Sequence, residues 1–153
     1  MAGSLLVSAA RANSPGSAAR AVDADPSEVI DIWPGLPAGG VPAGLTEEII
    51  ERPNDLGLRD RIIRHVTRPR LTVFRPAGRP RGAMLLVPGG GYRHVVVDKE
   101  GFETARWLAA RGVSAFVLVY RLPGEGHQQR ADVPLRDAQR AVRKRTGSGG
   151  RRS

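Results

Sequence analysis

The apolar run Ala83-Met84-Leu85-Leu86-Val87 ends in Pro88 and a glycine triplet, Gly89-Gly90-Gly91, and this juncture restricts the folds open to the chain more than any other stretch. Bounded by Gly82 and Pro88, and too short for a helix, the run reads as a strand buried on both faces. From Lys99 to Arg111 the apolar positions Phe102, Ala105, Leu108 and Ala109 fall at helical spacing, and Gly112 stands where a left-handed C-terminal residue belongs. Ala115-Phe116-Val117-Leu118-Val119-Tyr120 is a second apolar run, β-branched and aromatic. Strand, helix and strand over residues 83 to 120 predict one βαβ unit with a right-handed crossover. Asp132 and Pro134 open a second helix, with Leu135, Ala138 and Val142 on one face.

Upstream, Ile62, Ile63 and Val66 in Arg61 to Thr67, then Leu71, Val73 and Phe74 in Arg70 to Arg75, read as two strands of an antiparallel hairpin turning at Arg68-Pro69. About four strands are legible in all. A helix after a second parallel strand ordinarily leads into a third, and the 153 residues stop first. The expectation is an incomplete sheet in which the outer side of the Ala115 to Tyr120 strand is open to pairing or aggregation.

With 41% hydrophobic residues and no cysteine, the chain is suited to one small globular domain, and thiol nucleophiles, iron–sulfur clusters and cysteine-rich zinc sites are excluded. No apolar run reaches the ~18 residues of a membrane span. The net charge of +9 invites a nucleic-acid reading, but its distribution argues against one. Residues 1 to 80 carry ten arginines against nine acids, whereas Arg140, Arg143, Lys144, Arg145, Arg151 and Arg152 crowd the last fourteen positions with no acid among them. A solvated basic end explains that crowding, with a small binding module that uses the arginine-rich tail as the rival class.

Residues 1–27 are small and polar and read as a flexible segment. The patch Leu5-Leu6-Val7 is too short for a signal core, while Ala10-Arg11-Ala12 resembles a cleavage site. As it stands the chain reads as cytoplasmic; an upstream start would make it an exported one. Residues 33 to 44, rich in Pro and Gly, read as an extended surface segment, and residues 146–153 as a disordered basic tail begun by Gly147-Ser148-Gly149-Gly150.

Three groups of residues could carry chemistry. Pro88-Gly89-Gly90-Gly91-Tyr92 follows a buried strand, where ligands bind in open α/β sheets. Successive glycines let backbone N–H groups turn toward an oxygen that gains negative charge. Neither the dinucleotide fingerprint nor the P-loop fits: the sixth position is His94, and no Gly-Lys-Ser/Thr follows. A plain tight turn is the alternative. His94, Asp98 and Glu100 match no metal spacing and read as solvated loop residues, with Glu100 as a helix-start carboxylate. His65, His94 and His127 are too scattered to suggest a metal site, and no cofactor is expected. Ser114 begins a strand and Ser148 sits in the tail, and neither stands in G-x-S-x-G.

Taken in order, Trp33-Pro34-Gly35, Val87-Pro88-Gly89-Gly90-Gly91-Tyr92, Glu100-Gly101-Phe102, Trp107-Leu108, Tyr120-Arg121-Leu122 and Pro134 to Arg143 resemble the N-terminal half of bacterial α/β-hydrolase esterases of the acetylxylan and feruloyl esterase type. Pro88 stands where lipase-type relatives have a histidine, as it does in the esterases resembled here. The resemblance implies an α/β fold, with residues 28–145 as a truncated α/β-hydrolase domain, and a Ser-His-Asp mechanism on an acylated sugar or other small ester. It assigns the backbone N–H groups of Gly90 and Gly91 to an oxyanion hole and Tyr92 to the acyl pocket, with core packing as the alternative for Tyr92. It also places the whole triad beyond Ser153, so the chain alone is expected to be inactive.

Overall fold

The strand Val113–Val119 is buried at every position after its first residue, which an interior strand covered on both faces requires. The computed structural model describes residues 25, 26 and 28–147. In chain order its elements are β1 (Val29–Asp31), β2 (Glu48–Glu51), β3 (Arg61–Arg64), β4 (Arg70–Phe74), β5 (Gly82–Leu86), β6 (Val95–Val96), a π-helical turn (Asp98–Phe102), α1 (Glu103–Ala109), β7 (Val113–Val119), a 3-10 turn (Arg130–Asp132) and α2 (Val133–Gly147). The fold is mixed α/β with two small sheets, ordered β1-β4-β7-β5 and β2-β3-β6.

In the larger sheet β7 pairs antiparallel with β4 and parallel with β5, Leu85 opposite Phe116. The crossover between β5 and β7 runs through the π turn and α1, whose Phe102, Ala105 and Leu108 are buried. Phe102 meets Phe74 of β4 at 5.1 Å between ring centroids. Leu71, Val73, Val117 and Leu118 are at most 1% exposed, and burying each such side chain is worth about 1.5–3 kcal/mol. Gly112 takes φ +84° just after α1, as its position predicts. Among the described residues no helix is long and apolar enough to cross a membrane.

Several expectations need correction. Residues 61–64 and 70–74 are strands but do not form a hairpin: β3 pairs with β2 and β6, while β4 pairs with β1 and β7. Three short strands, β1, β2 and β6, lack the apolar length that marks a strand in sequence. The edge strands of the larger sheet are β1 and β5, and β7 is interior. Accordingly β5 is not buried on both faces: Met84 is about half exposed, as is Val87 just after the strand. Continuous apolarity cannot distinguish an interior strand from an edge strand packed on one face.

The face of α2 also differs. Val133, Asp137 and Ala141 are buried at helical spacing, whereas Leu135 and Val142 are exposed. An acidic side chain takes the central inward position because an arginine waits for it there. Of the flexible segment expected at residues 1–27, residues 1–24 and 27 lie outside the described residues, as do residues 148–153 of the tail expected at 146–153; its first two residues belong to the helix, which reaches Gly147.

Candidate active site

Beyond the end of β5 the chain is stapled at its first two loop positions and left open at the next two. Proline offers no N–H, and the carbonyl of buried Pro88 accepts from the Tyr120 hydroxyl at 2.8 Å. Gly89 N–H donates to Glu100 Oε2 at 2.6 Å, and its carbonyl accepts from Val96 N–H at 2.9 Å. Gly90 has φ +137°, and a Cβ there would run into the His94 carbonyl oxygen. Gly91 follows at φ +62° and Tyr92 at φ +59°, a conformation that costs a non-glycine residue about 1–3 kcal/mol. Among the described residues the N–H groups of Gly90 and Gly91 donate to no backbone carbonyl.

The triplet walls an open cavity of about 410 Å³, closed on other sides by Tyr92, Tyr120, Pro134, Leu135 and Ala138. No charged side chain lines it. Burial pushes the Tyr120 phenol up from its ordinary value, so it remains a neutral donor. Tyr92 is 62% exposed, which rules out core packing for it. Leu135, expected on the inward face with Ala138, is exposed and borders this cavity, while Ala138 borders it and also packs against the core. A neutral, largely apolar recess beside two amides suits a small ligand whose carbonyl or carboxylate oxygen can accept from those amides.

Part of the chain is similar to an acetylxylan esterase. The match, to the acetylxylan esterase of Xylanibacter ruminicola, is 38% identical over 68 residues and covers 44% of this chain and 13% of that protein. The solved esterase Est2 of the planctomycete Thermogutta terrifontis matches in its propionate-bound form with a TM-score of 0.43, 21% identity, 67% coverage of this chain and 35% of that one. Its native form matches with a TM-score of 0.40, 20% identity, 67% coverage of this chain and 34% of that one. No family model matches the chain. The chain thus spans about an eighth of the curated relative and about a third of the solved one.

Several residues of the motifs singled out in the sequence form a buried polar network, a role invisible in sequence. Arg121 and Asp137 are both fully buried and meet bidentately, Nε to Oδ2 at 3.0 Å and an Nη to Oδ1 at 2.8 Å. Arg121 N–H also donates to Asp137 Oδ2, and its other Nη to the Ala38 carbonyl, each at 3.0 Å. Trp33 Nε1–H completes the carboxylate's set at 2.8 Å. Arg140 donates to the Ile32 carbonyl at 3.0 Å and lies 5.4 Å from the Trp33 ring centroid. Arg140 is therefore fastened to the body and is no part of a free basic tail. Segment 33–38, the loop after β7 and helix α2 are tied together by this one cluster.

Of His94, Asp98 and Glu100, read as solvated, only Glu100 is exposed; His94 is half-buried and Asp98 is buried. Asp98 is 2% exposed and accepts from Arg61 Nε at 2.8 Å, Nη at 2.7 Å and backbone N–H at 2.7 Å. Burial would raise its carboxyl, but the Arg61 hydrogen bonds and charge outweigh that and hold it below the usual carboxylate range. Glu100 sits inside the π turn, not at an α-helix start, and is used by Gly89. Burial, with help from Arg52, Arg64 and Arg93, holds the His94 imidazole low. The three residues thus go to three different tasks. Ser114 is buried within β7. The signal for the missed partners was present in Glu100-Gly101-Phe102 and Tyr120-Arg121-Leu122, motifs whose spacing in sequence says nothing of which element each will meet.

Proposed function

We propose that the glycine loop and its cavity form the carbonyl-binding side of a serine esterase site of the α/β-hydrolase type, taking small esters such as acylated sugars. One observation carries this reading: two glycine amides without backbone acceptors among the described residues, at the C-terminal end of a parallel strand, border a cavity whose described lining is uncharged. The partial similarity to an acetylxylan esterase supports it. In this reading the ester oxygen rests against the N–H groups of Gly90 and Gly91, and the acyl group lies among Tyr92, Tyr120 and Leu135. Donors fixed in place before reaction stabilise the negative charge that grows on that oxygen, with no reorganisation at the moment of attack.

The 153 residues hold no G-x-S-x-G, so the chain as given binds the carbonyl group without cleaving the ester. Two measurements test this. Acetate titrated into the 15N-labelled chain is expected to shift the Gly90 and Gly91 amide resonances to saturation; unmoved resonances overturn the site. With p-nitrophenyl acetate, no turnover sensitive to a serine-directed inhibitor is expected, and such turnover overturns the assignment of a non-cleaving half-site.

A further inference from the structure

The π-helical turn Asp98–Phe102 brings a carboxylate to the glycine loop. Single π turns inside helices are rare and cluster at functional sites. Here the turn puts Glu100 Oε2 2.6 Å from Gly89 N–H. Gly101, next in the turn, is buried, and a Cβ on it would stand 2.7 Å from Val117 Cγ1 and 3.2 Å from Pro88 Cγ. Only a glycine lets the turn lie this close to β7 and to the root of the loop. Phe102 then anchors the turn against Phe74.

Each residue of Glu100-Gly101-Phe102 thus has a separate part in holding one peptide. Tyr120 and Val96 fix carbonyls of Pro88 and Gly89, but Glu100 takes an N–H of the triplet itself. With that N–H occupied, the triplet's N–H groups without a backbone acceptor among the described residues are those of Gly90 and Gly91, both of which line the cavity. We propose that Glu100 is the positioning residue of the site: its bond to Gly89 fixes the peptide plane from which the Gly90 and Gly91 N–H groups are presented, and Gly101 makes that bond reachable. This rests on the carbonyl-binding reading given above.

The test uses the whole 153-residue chain, 15N-labelled, as wild type, Glu100→Gln, Glu100→Ala and Gly101→Ala. Hydrogen exchange at Gly89 is measured first, and acetate titration at Gly90 and Gly91 second. Glutamine keeps an oxygen to accept the bond, so Glu100→Gln is expected to keep Gly89 protected and to bind acetate within about twofold of wild type, a neutral acceptor costing little here. Glu100→Ala and Gly101→Ala are expected to expose Gly89 and weaken acetate about tenfold, the loss of one charge-assisted hydrogen bond, while exchange at Leu71 in the core strand β4 stays unchanged. Gly89 protection and acetate binding equal to wild type in both alanine variants overturn the positioning role. If wild type itself shows no acetate shift while Gly89 protection still depends on Glu100, the carbonyl-binding reading fails and the clamp is purely structural.

Discussion

The glycine loop and the Arg121–Asp137 cluster handle polar groups in opposite ways. In the cluster each Asp137 oxygen accepts two hydrogen bonds and Arg121 donates to the carboxylate and to Ala38. In the loop two successive amides have no backbone acceptor among the described residues, and three consecutive residues take positive φ. Buried charge is tolerable only when paired and fully hydrogen-bonded, so the cluster can serve only to hold. Strained backbone with open donors is costly unless something is to be bound, so the loop can serve to present. The motif residues of the sequence therefore divide into those that fasten the fold and those that form the open loop.

Breaking the holding side should have the largest effect. Asp137→Ala leaves the Arg121 guanidinium buried without its counter-charge and is expected to cost about 3–5 kcal/mol; a denaturant melt showing less than about 1 kcal/mol would mean that the cluster relaxes into water. On the presenting side, Gly90→Ala puts a Cβ against the His94 carbonyl and is expected to cost about 1–3 kcal/mol. It should also abolish the acetate shifts while the far-ultraviolet spectrum stays native. Retained shifts would show that the loop needs no glycine there.

Tyr120→Phe sharpens the comparison, since it removes a single staple, the bond to the Pro88 carbonyl. About 1 kcal/mol is expected in the melt, with faster exchange at Gly89 and none of the helix loss expected of Asp137→Ala. The smallest effect should come with acid. Asp98, whose folded carboxyl lies below its ordinary value, anchors the π turn to β3. A depressed carboxylate adds stability above its unfolded pKa and gives it up as pH falls through the folded one. Stability should therefore drop below about pH 4, and Asp98→Asn should flatten part of that drop; an unchanged acid limb would remove Asp98 from the account.

Much of the loop was legible. A short apolar strand, Pro88 and three glycines predict a turn at the C-terminal end of a parallel strand, and the helical spacing from Phe102 to Leu108 predicts the crossover that closes the βαβ unit. The cluster was not. Asp137 and Arg121 look like surface charges in sequence, and Leu135 looks like core, because periodicity marks which residues share a helix face but not which face meets the protein. Glu100 was misread for a related reason: a carboxylate before a helical run signals an α-helix start, and nothing local announces a π turn.

The amino-acid order by itself determined the strands at residues 82 to 86 and 113 to 119, the helices that follow them and the glycine turn between, because burial and backbone freedom act over a few neighbouring residues. Tertiary structure decided which strand stands at the sheet edge, which face of α2 turns inward, and that Glu100 reaches Gly89. Those outcomes depend on where distant segments bring a partner charge or an N–H group, and local sequence carries no record of that distance.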